Sequence, residues 1–486
     1  MKSLLHSYKE NKWFYICSFP LLFIISFVYY KKSIDLLWFI PYGLLGIYLL
    51  VFQVRLFYLA MVVSIPFSLN IESGAESFGL SLPAEPMMVA MMGLFFLKEI
   101  HSRVLEKDYW RHPVTVLIVL QTIWLAITCC ASSMPMISFK FLVARLWLLT
   151  SGYFISLYFF QNINTIRKTL VAYVIPLCIT IIYIVLAHYK EGFSKQVVYY
   201  ITNPFFKDHT IYGAVLGLYV SIVGYLVYSA KGLFWKSTYV LCSIILLAGL
   251  FFSYTRAAWL SVMLMMAFYS LYYFRIKFLY FVIFITTFTT IVYEFQDWIA
   301  YQLKSNQTSS SNGSVKEHVK SIYNVKTDVS NLERLNRWNS ALRMYEAKPF
   351  LGFGPGTYVF QYGVYQAQKD KTVISTNRGT VGGAHSEYMQ PLAESGLIGL
   401  LLTLALFITV IYRASMVYSK RLLEPNLQAL LIALLMGLLT YFLHGLVNNY
   451  LDTDKAAYPF WSFIAAIVAL DVYAKSPANT YSTNEF

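Results

Sequence analysis

Ser395–Tyr412 reads SGLIGLLLTLALFITVIY, without one charged side chain. A bilayer core about 30 Å thick is crossed by roughly 20 apolar residues at about 1.5 Å rise each. Phe141–Phe160 (FLVARLWLLTSGYFISLYFF) is nearly as apolar, interrupted only by Arg145. Neither run alternates polar and apolar residues, which excludes the strand pattern of a membrane barrel. The composition agrees: of 486 residues, 58% are hydrophobic and 13% charged, with mean hydropathy +0.56. Soluble domains carry about 25% charged residues. The chain therefore reads as an all-α polytopic integral membrane protein, because only helices satisfy such backbone within lipid.

Spans are expected near 13–30, 36–54, 56–70, 86–99, 114–132, 141–160, 169–188, 211–230, 237–253, 257–274, 278–294, 395–413, 426–446 and 457–474. That is about fourteen, or about twelve if the short runs at 56–70 and 86–99 are re-entrant. Trp13–Tyr30 lacks a small-residue cleavage site after it and reads as a retained anchor. With the N-terminus inside, one set of connectors collects Lys98, Arg103, Lys107, Arg111, Arg167, Lys168, Lys231, Lys236, Arg275, Lys277, Arg413, Lys420 and Arg421. The positive-inside rule makes these cytoplasmic, with Lys31 and Lys32 as exceptions. The net charge of +14 is then a topology signal and calls for no nucleic acid. Cys17, Cys129, Cys130, Cys178 and Cys242 all fall in apolar spans, with neither a disulfide framework nor metal spacing. The expected organisation is an N-terminal transmembrane bundle (1–293), a large loop domain (294–395), C-terminal transmembrane helices (396–474) and a cytoplasmic tail (475–486). The loop faces away from the cytoplasm, which is the periplasm for a bacterial inner-membrane protein.

That loop is the one large water-facing segment. Ser305–Ser314 (SNQTSSSNGS) reads as a linker. Leu332–Ala347 carries Leu335, Trp338, Ala341, Leu342 and Tyr345 at helical spacing, an amphipathic helix ended by Lys348-Pro349. Gly352-Phe353-Gly354-Pro355-Gly356 follows, a turn in which Gly supplies positive φ or close backbone approach. The segment closes with Ala384-His385-Ser386-Glu387 and runs on to Glu394-Ser395-Gly396-Leu397-Ile398-Gly399.

Ionisable residues in or beside spans are functional candidates. Arg256, in Ser253-Tyr254-Thr255-Arg256-Ala257-Ala258-Trp259, and Arg145 sit toward the loop side, where a guanidinium fork suits phosphate oxygens. Each also reads as a side chain snorkelling to the interface. Arg334 and Arg337, three apart on the loop helix, share a face, and Arg343 lies beyond them. His385 is a candidate general base, since imidazole titrates near neutrality. Glu387 or Glu394 is a candidate to orient it, and Asp208-His209 is a second pair on the same side. There is no P-loop, no Gly-x-Ser-x-Gly elbow and no outward acidic pair suited to Mg²⁺, so arginines would have to offset a leaving group's charge.

His385-Ser386, nine intervening residues and then Gly396-x-x-Gly399 resemble a motif of the O-antigen ligase and Wzy-type polymerase superfamily of bacterial envelope glycosyltransferases. Thr255-Arg256-Ala257-Ala258-Trp259 is similar to that family too, as is Arg334-x3-Trp338 followed by Pro349-x2-Gly352-x-Gly354. The resemblance covers about 150 residues and implies inverting, metal-independent transfer at the periplasmic face, with no cofactor. The implied donor is a glycan on undecaprenyl diphosphate. The implied acceptor is a lipid A core sugar for a ligase, or another lipid-linked repeat for a polymerase. It also implies His385 as general base, with Arg256 and Arg334 on the diphosphate; Arg337 leaves the choice of loop arginine open. A lipid-linked oligosaccharide flippase is the reading from another class. It would need related halves, and no such repeat is visible.

Overall fold

Inside lipid a backbone N–H finds no partner except the carbonyl four residues back, so each apolar run closes into a helix. In the computed structural model, residues 39–71, 80–274, 329–372, 374–376 and 382–475 are described. The helices before the loop are α1 Phe39–Phe52, α2 Val54–Phe67, α3 Ala84–Ser102, α4 Pro113–Cys130, α5 Pro135–Leu149, α6 Asn164–Lys190, α7 His209–Tyr228, α8 Leu233–Phe252 and α9 Arg256–Phe274. After them come α10 Val329–Ala347 in the loop, then α11 Met389–Ser419, α12 Pro425–His444 and α13 Asp454–Lys475. A π-helical turn, Thr150–Ile155, carries α5 on toward Phe160.

Among the described residues, eight helices are long and apolar enough to span a membrane: α4, α5 with its extension, α6, α7, α8, α11, α12 and α13. They coincide with expected spans, and the polytopic all-α class holds. The expected spans at 36–54 and 56–70 correspond to the shorter α1 and α2, 86–99 to α3 and 257–274 to α9. Those at 13–30 and 278–294, and the linker 305–314, lie outside the described residues.

Helix α13 is the axis. Its apolar window is 94% buried and that of α12 78%, whereas α4 and α8 reach only 28% and turn most of their surface outward. Helix α12 packs on α7, α9 and α13, and α11 packs along α4. Tyr58, Tyr173, Tyr219 and Tyr458 are fully buried around this axis, and Tyr58 Oη lies 2.9 Å from Tyr458 Oη.

One feature departs from the all-helical reading. Two short strands, β1 Leu69–Ile71 and β2 Leu80–Leu82, pair antiparallel between α2 and α3, Asn70 opposite Ser81. They cover the start of α13, where Ser68 donates to Asp454 at 2.6 Å, Lys455 donates to Ser68 at 2.8 Å, and the Ser81 N–H donates to Glu85 at 3.1 Å. Buried charges need such partners.

At the opposite end of the bundle a second polar knot ties three helices. Asp471 on α13 is wholly buried; it accepts from Arg413 Nε of α11 at 2.6 Å and pairs with His112 Nε2, the N-cap of α4, at 2.9 Å. Lys475 closes the group at 3.0 Å. Asp471→Ala leaves buried His112 and half-buried Arg413 without their acceptor, and is expected to cost about 3 kcal/mol. The check is thermal unfolding in detergent, with Asp471→Asn losing less; an unchanged transition in Asp471→Ala would remove this knot from the structure's stabilising contacts.

Candidate active site

The site lies at the end of the bundle where α11 begins, and glycine chemistry sets its frame. Gly396 has φ +69° and ψ −170° inside α11, which splits the helix into a first stretch, Met389–Ser395, and the long apolar stretch beyond. A Cβ there would stand 2.1 Å from the Phe350 carbonyl oxygen, so only glycine permits the contact. Gly352, φ +65°, meets the Glu394 backbone just as closely. The Phe353 and Gly354 N–H groups then donate to Ala393 and Glu394 carbonyls at 3.1 and 2.8 Å. The expected glycine turn is therefore a clamp holding the loop to α11. Ala341, Met344, Phe353, Tyr358, Tyr362, Ala384 and Ala393 form a small apolar core behind it.

Helix α10 forms as expected, but its apolar stripe is split. Ala341 is buried in that core, whereas Leu335 and Leu342 are 39% and 40% exposed, and Glu333, Asn336, Arg337 and Ser340 are buried. Beside Ala341 and Met344 the inward surface is polar and bonds to the loop that follows. Glu333 accepts Arg337 Nε at 3.0 Å and Thr372 Oγ1 at 2.9 Å, with Ser375 as a further donor. Burial opposes ionisation of Glu333, yet the Ser375 and Thr372 hydroxyls and the Arg337 charge hold its carboxyl below its usual range.

Arg337 is 3% exposed and its Nη1 donates to the Gly382 and Gly383 carbonyls, both at 2.9 Å, above the Tyr362 ring. It thus grips the backbone just before His385. A Cβ on Gly382 would sit 3.0 Å from Arg337 Nη1 and 3.6 Å from His385 Nε2, which gives the closeness of the two side chains. His385 itself holds φ +50°, and its carbonyl accepts Trp338 Nε1 at 3.4 Å. A non-glycine residue in this left-handed region is held there by its surroundings at a cost on the order of 1 kcal/mol. Burial first, then the Arg337 and Arg334 charges, push the His385 imidazole down to about 3, against weaker pulls from Asp208 and Glu333.

Glu387, two residues on, does not serve as the orienting carboxylate for that imidazole. Its Oε1 accepts Tyr441 Oη at 2.7 Å and the Tyr450 and Leu451 N–H groups at 2.8 and 3.1 Å. Its own N–H donates to Gly445. The residue binds the His385 segment to the turn between α12 and α13. Glu394 is likewise spent, on the Tyr358 N–H at 2.9 Å and Gln390.

The same turn gathers the remaining candidates. Arg334, half-buried on α10, donates from Nε to the Val447 carbonyl at 3.2 Å and from Nη1 to Asn331 at 3.1 Å. Arg145 donates to the Leu451 carbonyl at 3.0 Å and lies over the Trp461 ring at 4.9 Å, on the other side of the turn. Arg256 starts α9, and its neighbour Thr255 donates to the His209 carbonyl at 3.0 Å. His209 is buried against Tyr199, its Nδ1 2.8 Å from Asp208, and Thr210 bonds Tyr450. The structure therefore brings Arg334, Arg337 and His385 into one cluster, ties His209 and the start of α9 to the neighbouring turn through Thr255, Thr210 and Tyr450, and sets Arg145 apart.

Residues 241–404 match the family model described as O-antigen ligase. The match spans about a third of the chain and supports the O-antigen ligase and polymerase superfamily. No curated protein matches the chain. The O-antigen ligase match runs from α8 into α11 and contains Arg256, Arg334, Arg337 and His385, leaving out the 445–453 turn to which Arg334 and Glu387 are bonded. Tyr441, His444, Asn448, Asn449 and Tyr450 belong to that turn and its rim; a polar run, Asn448-Asn449-Tyr450-Leu451-Asp452, between two apolar spans was the signal for them. His444 is buried and bonds Asn448 at 3.0 Å.

The depressed imidazole has a pH consequence. Unfolded, His385 takes its proton near 6.5, whereas folded it resists until about 3, so stability falls as pH drops through that window. In substrate-free protein the ring should stay neutral from pH 8 down to about 5. The measurement is histidine ¹⁵N NMR in detergent, with His385→Gln identifying the resonance; titration near the ordinary value would contradict the buried, arginine-flanked environment.

Proposed function

We propose that the chain transfers a glycan from undecaprenyl diphosphate to a sugar hydroxyl of the lipid A core, at the periplasmic face of a bacterial inner membrane, with inversion and without a metal. The observation that supports this reading is the closeness of His385 to Arg334 and Arg337 beside one turn, inside a segment that matches the O-antigen ligase family model. The acceptor oxygen attacks the anomeric carbon, the bond to the diphosphate oxygen breaks on the opposite face, and the hydroxyl proton passes to His385. The diphosphate leaves with the bonding electrons, its charge met by Arg334 and Arg256. At a partly dry interface such charge contacts are worth several kcal/mol more than in water.

Arg334 suits the diphosphate better than Arg337, because Arg337 is buried and spends Nε and Nη1 on Glu333 and the glycine carbonyls. Arg337 is a positioning residue in this scheme. The arginine charges also link binding to basicity. In the empty site they hold the His385 imidazole low. A bound diphosphate offsets those charges and raises the ring toward its ordinary range, where a general base works near neutral pH. Donor binding thereby arms the base.

His385→Ala is expected to reduce transfer about 10²–10⁴-fold at unchanged protein level, and Arg334→Ala to raise donor KM roughly tenfold. The assay uses purified protein and lipid-linked donor with EDTA present. Normal turnover of His385→Ala rejects the base assignment, and loss of wild-type activity in EDTA rejects the metal-free step. Offering lipid A core and a second lipid-linked repeat in parallel separates ligase from polymerase.

A further inference from the structure

A cleft of about 790 Å³, counting its open mouth, lies between α4, α5 and the start of α11, lined along one edge by Glu387, Gln390 and Glu394. Trp124, Phe141 and Trp461 supply its aromatic walls, and Gln121, Gln390 and Asn449 its amides. We infer that this cleft is a sugar-binding subsite, taking the polar edge and ring face of a neutral glycan residue. The inference rests on the glycan-transfer reading above and adds to it where the sugar, rather than the diphosphate, is held.

Three observations favour a sugar over the other ligands present in a membrane. Carboxylates of Glu387, Glu394 and Asp452 line the cleft with only Arg145 opposing them, which disfavours a phosphate. The Arg145 guanidinium is engaged by the Leu451 carbonyl and the Trp461 ring. A lipid tail has no use for amides, whereas hydroxyls both donate and accept. Gln121 and Asn449 spend an amide N–H on Thr403 at 3.0 Å and on Gln390 at 2.8 Å, and their carbonyl oxygens are the natural acceptors for hydroxyl donors.

The third observation points to a missing partner. Trp461 is 1% exposed, and its Nε1–H has no hydrogen-bond partner among the described residues. A buried donor left unmade costs about 1–3 kcal/mol, so such groups are kept where something else fills them. A sugar hydroxyl or ring oxygen would accept that hydrogen, while the Trp124 and Phe141 faces cover the ring's C–H surface. The cleft is also wired to the catalytic segment. Gln390 Oε1 accepts the Ala384 N–H at 3.1 Å, next to His385, as well as Asn449 Nδ2.

The test is calorimetry on the full chain in detergent with three probes: undecaprenyl diphosphate without sugar, the lipid-free oligosaccharide of the donor repeat, and lipid-free core oligosaccharide. Trp461→Phe keeps the ring and removes the N–H; Asp452→Asn changes a loop side chain and tests the cleft where packing is least at stake. Both variants are expected to bind one of the two oligosaccharides about tenfold more weakly, and which one identifies the sugar as donor or acceptor. Undecaprenyl diphosphate should bind unchanged. Wild-type affinity for both oligosaccharides in both variants overturns the subsite, as does an equal loss for undecaprenyl diphosphate. Arg334→Ala run alongside separates the two readings. If it binds undecaprenyl diphosphate normally while Trp461→Phe loses sugar, the subsite stands and the diphosphate assignment falls.

Discussion

A carboxylate drawn away from water needs donors, and half-buried Glu387 gathers three on one oxygen: Tyr441 and the Tyr450 and Leu451 amides. Burial pushes its carboxyl up, and those donors pull it back. Almost everything else at this end of the molecule hangs from that knot. It fixes the 445–453 turn, whose Val447 and Leu451 carbonyls receive Arg334 and Arg145 and whose Tyr450 meets Thr210 at the start of α7. It also fixes the chain two residues after His385, while Arg337 grips the chain just before it. Held from both sides, His385 can keep a left-handed backbone that a free loop would abandon.

The knot divides two electrostatic environments. On one side Arg334 and Arg337 face a desolvated imidazole and lower its affinity for a proton. On the other a cleft carries carboxylates and amides with Arg145 already engaged. The donor proposed above would be divided in the same way, anionic at the diphosphate and hydroxylated along the sugars. One short segment, Gly383 to Glu394, takes part in both: Arg337 holds the Gly383 carbonyl, and Glu387, Gln390 and Glu394 line the cleft.

The class of fold was legible because apolar runs such as Ser395–Tyr412 permit little besides helix. The glycine turn and the His385 segment were legible too, since Gly352 and Gly396 occupy conformations that other residues resist. Two things were not. The stripe Leu335–Leu342 read as one apolar face by periodicity, yet Gln366, Thr372 and Ser375 bond the buried Glu333 and Asn336 of α10, and of that stripe Ala341 stays inside while the leucines lie outside. Arg334 and Arg337, three apart, looked equivalent; Glu333 and two glycine carbonyls claimed only one of them.

The sequence by itself determined the helices, their approximate ends and the residue types able to do chemistry, because hydropathy and backbone sterics are local properties. Tertiary structure alone decided that α13 is buried and α4 is not, though both read as spans. It alone turned Glu387 away from His385 and placed Arg145 against Trp461. Those outcomes depend on which neighbour completes a buried hydrogen bond, and neighbours hundreds of positions apart are set only when the bundle closes.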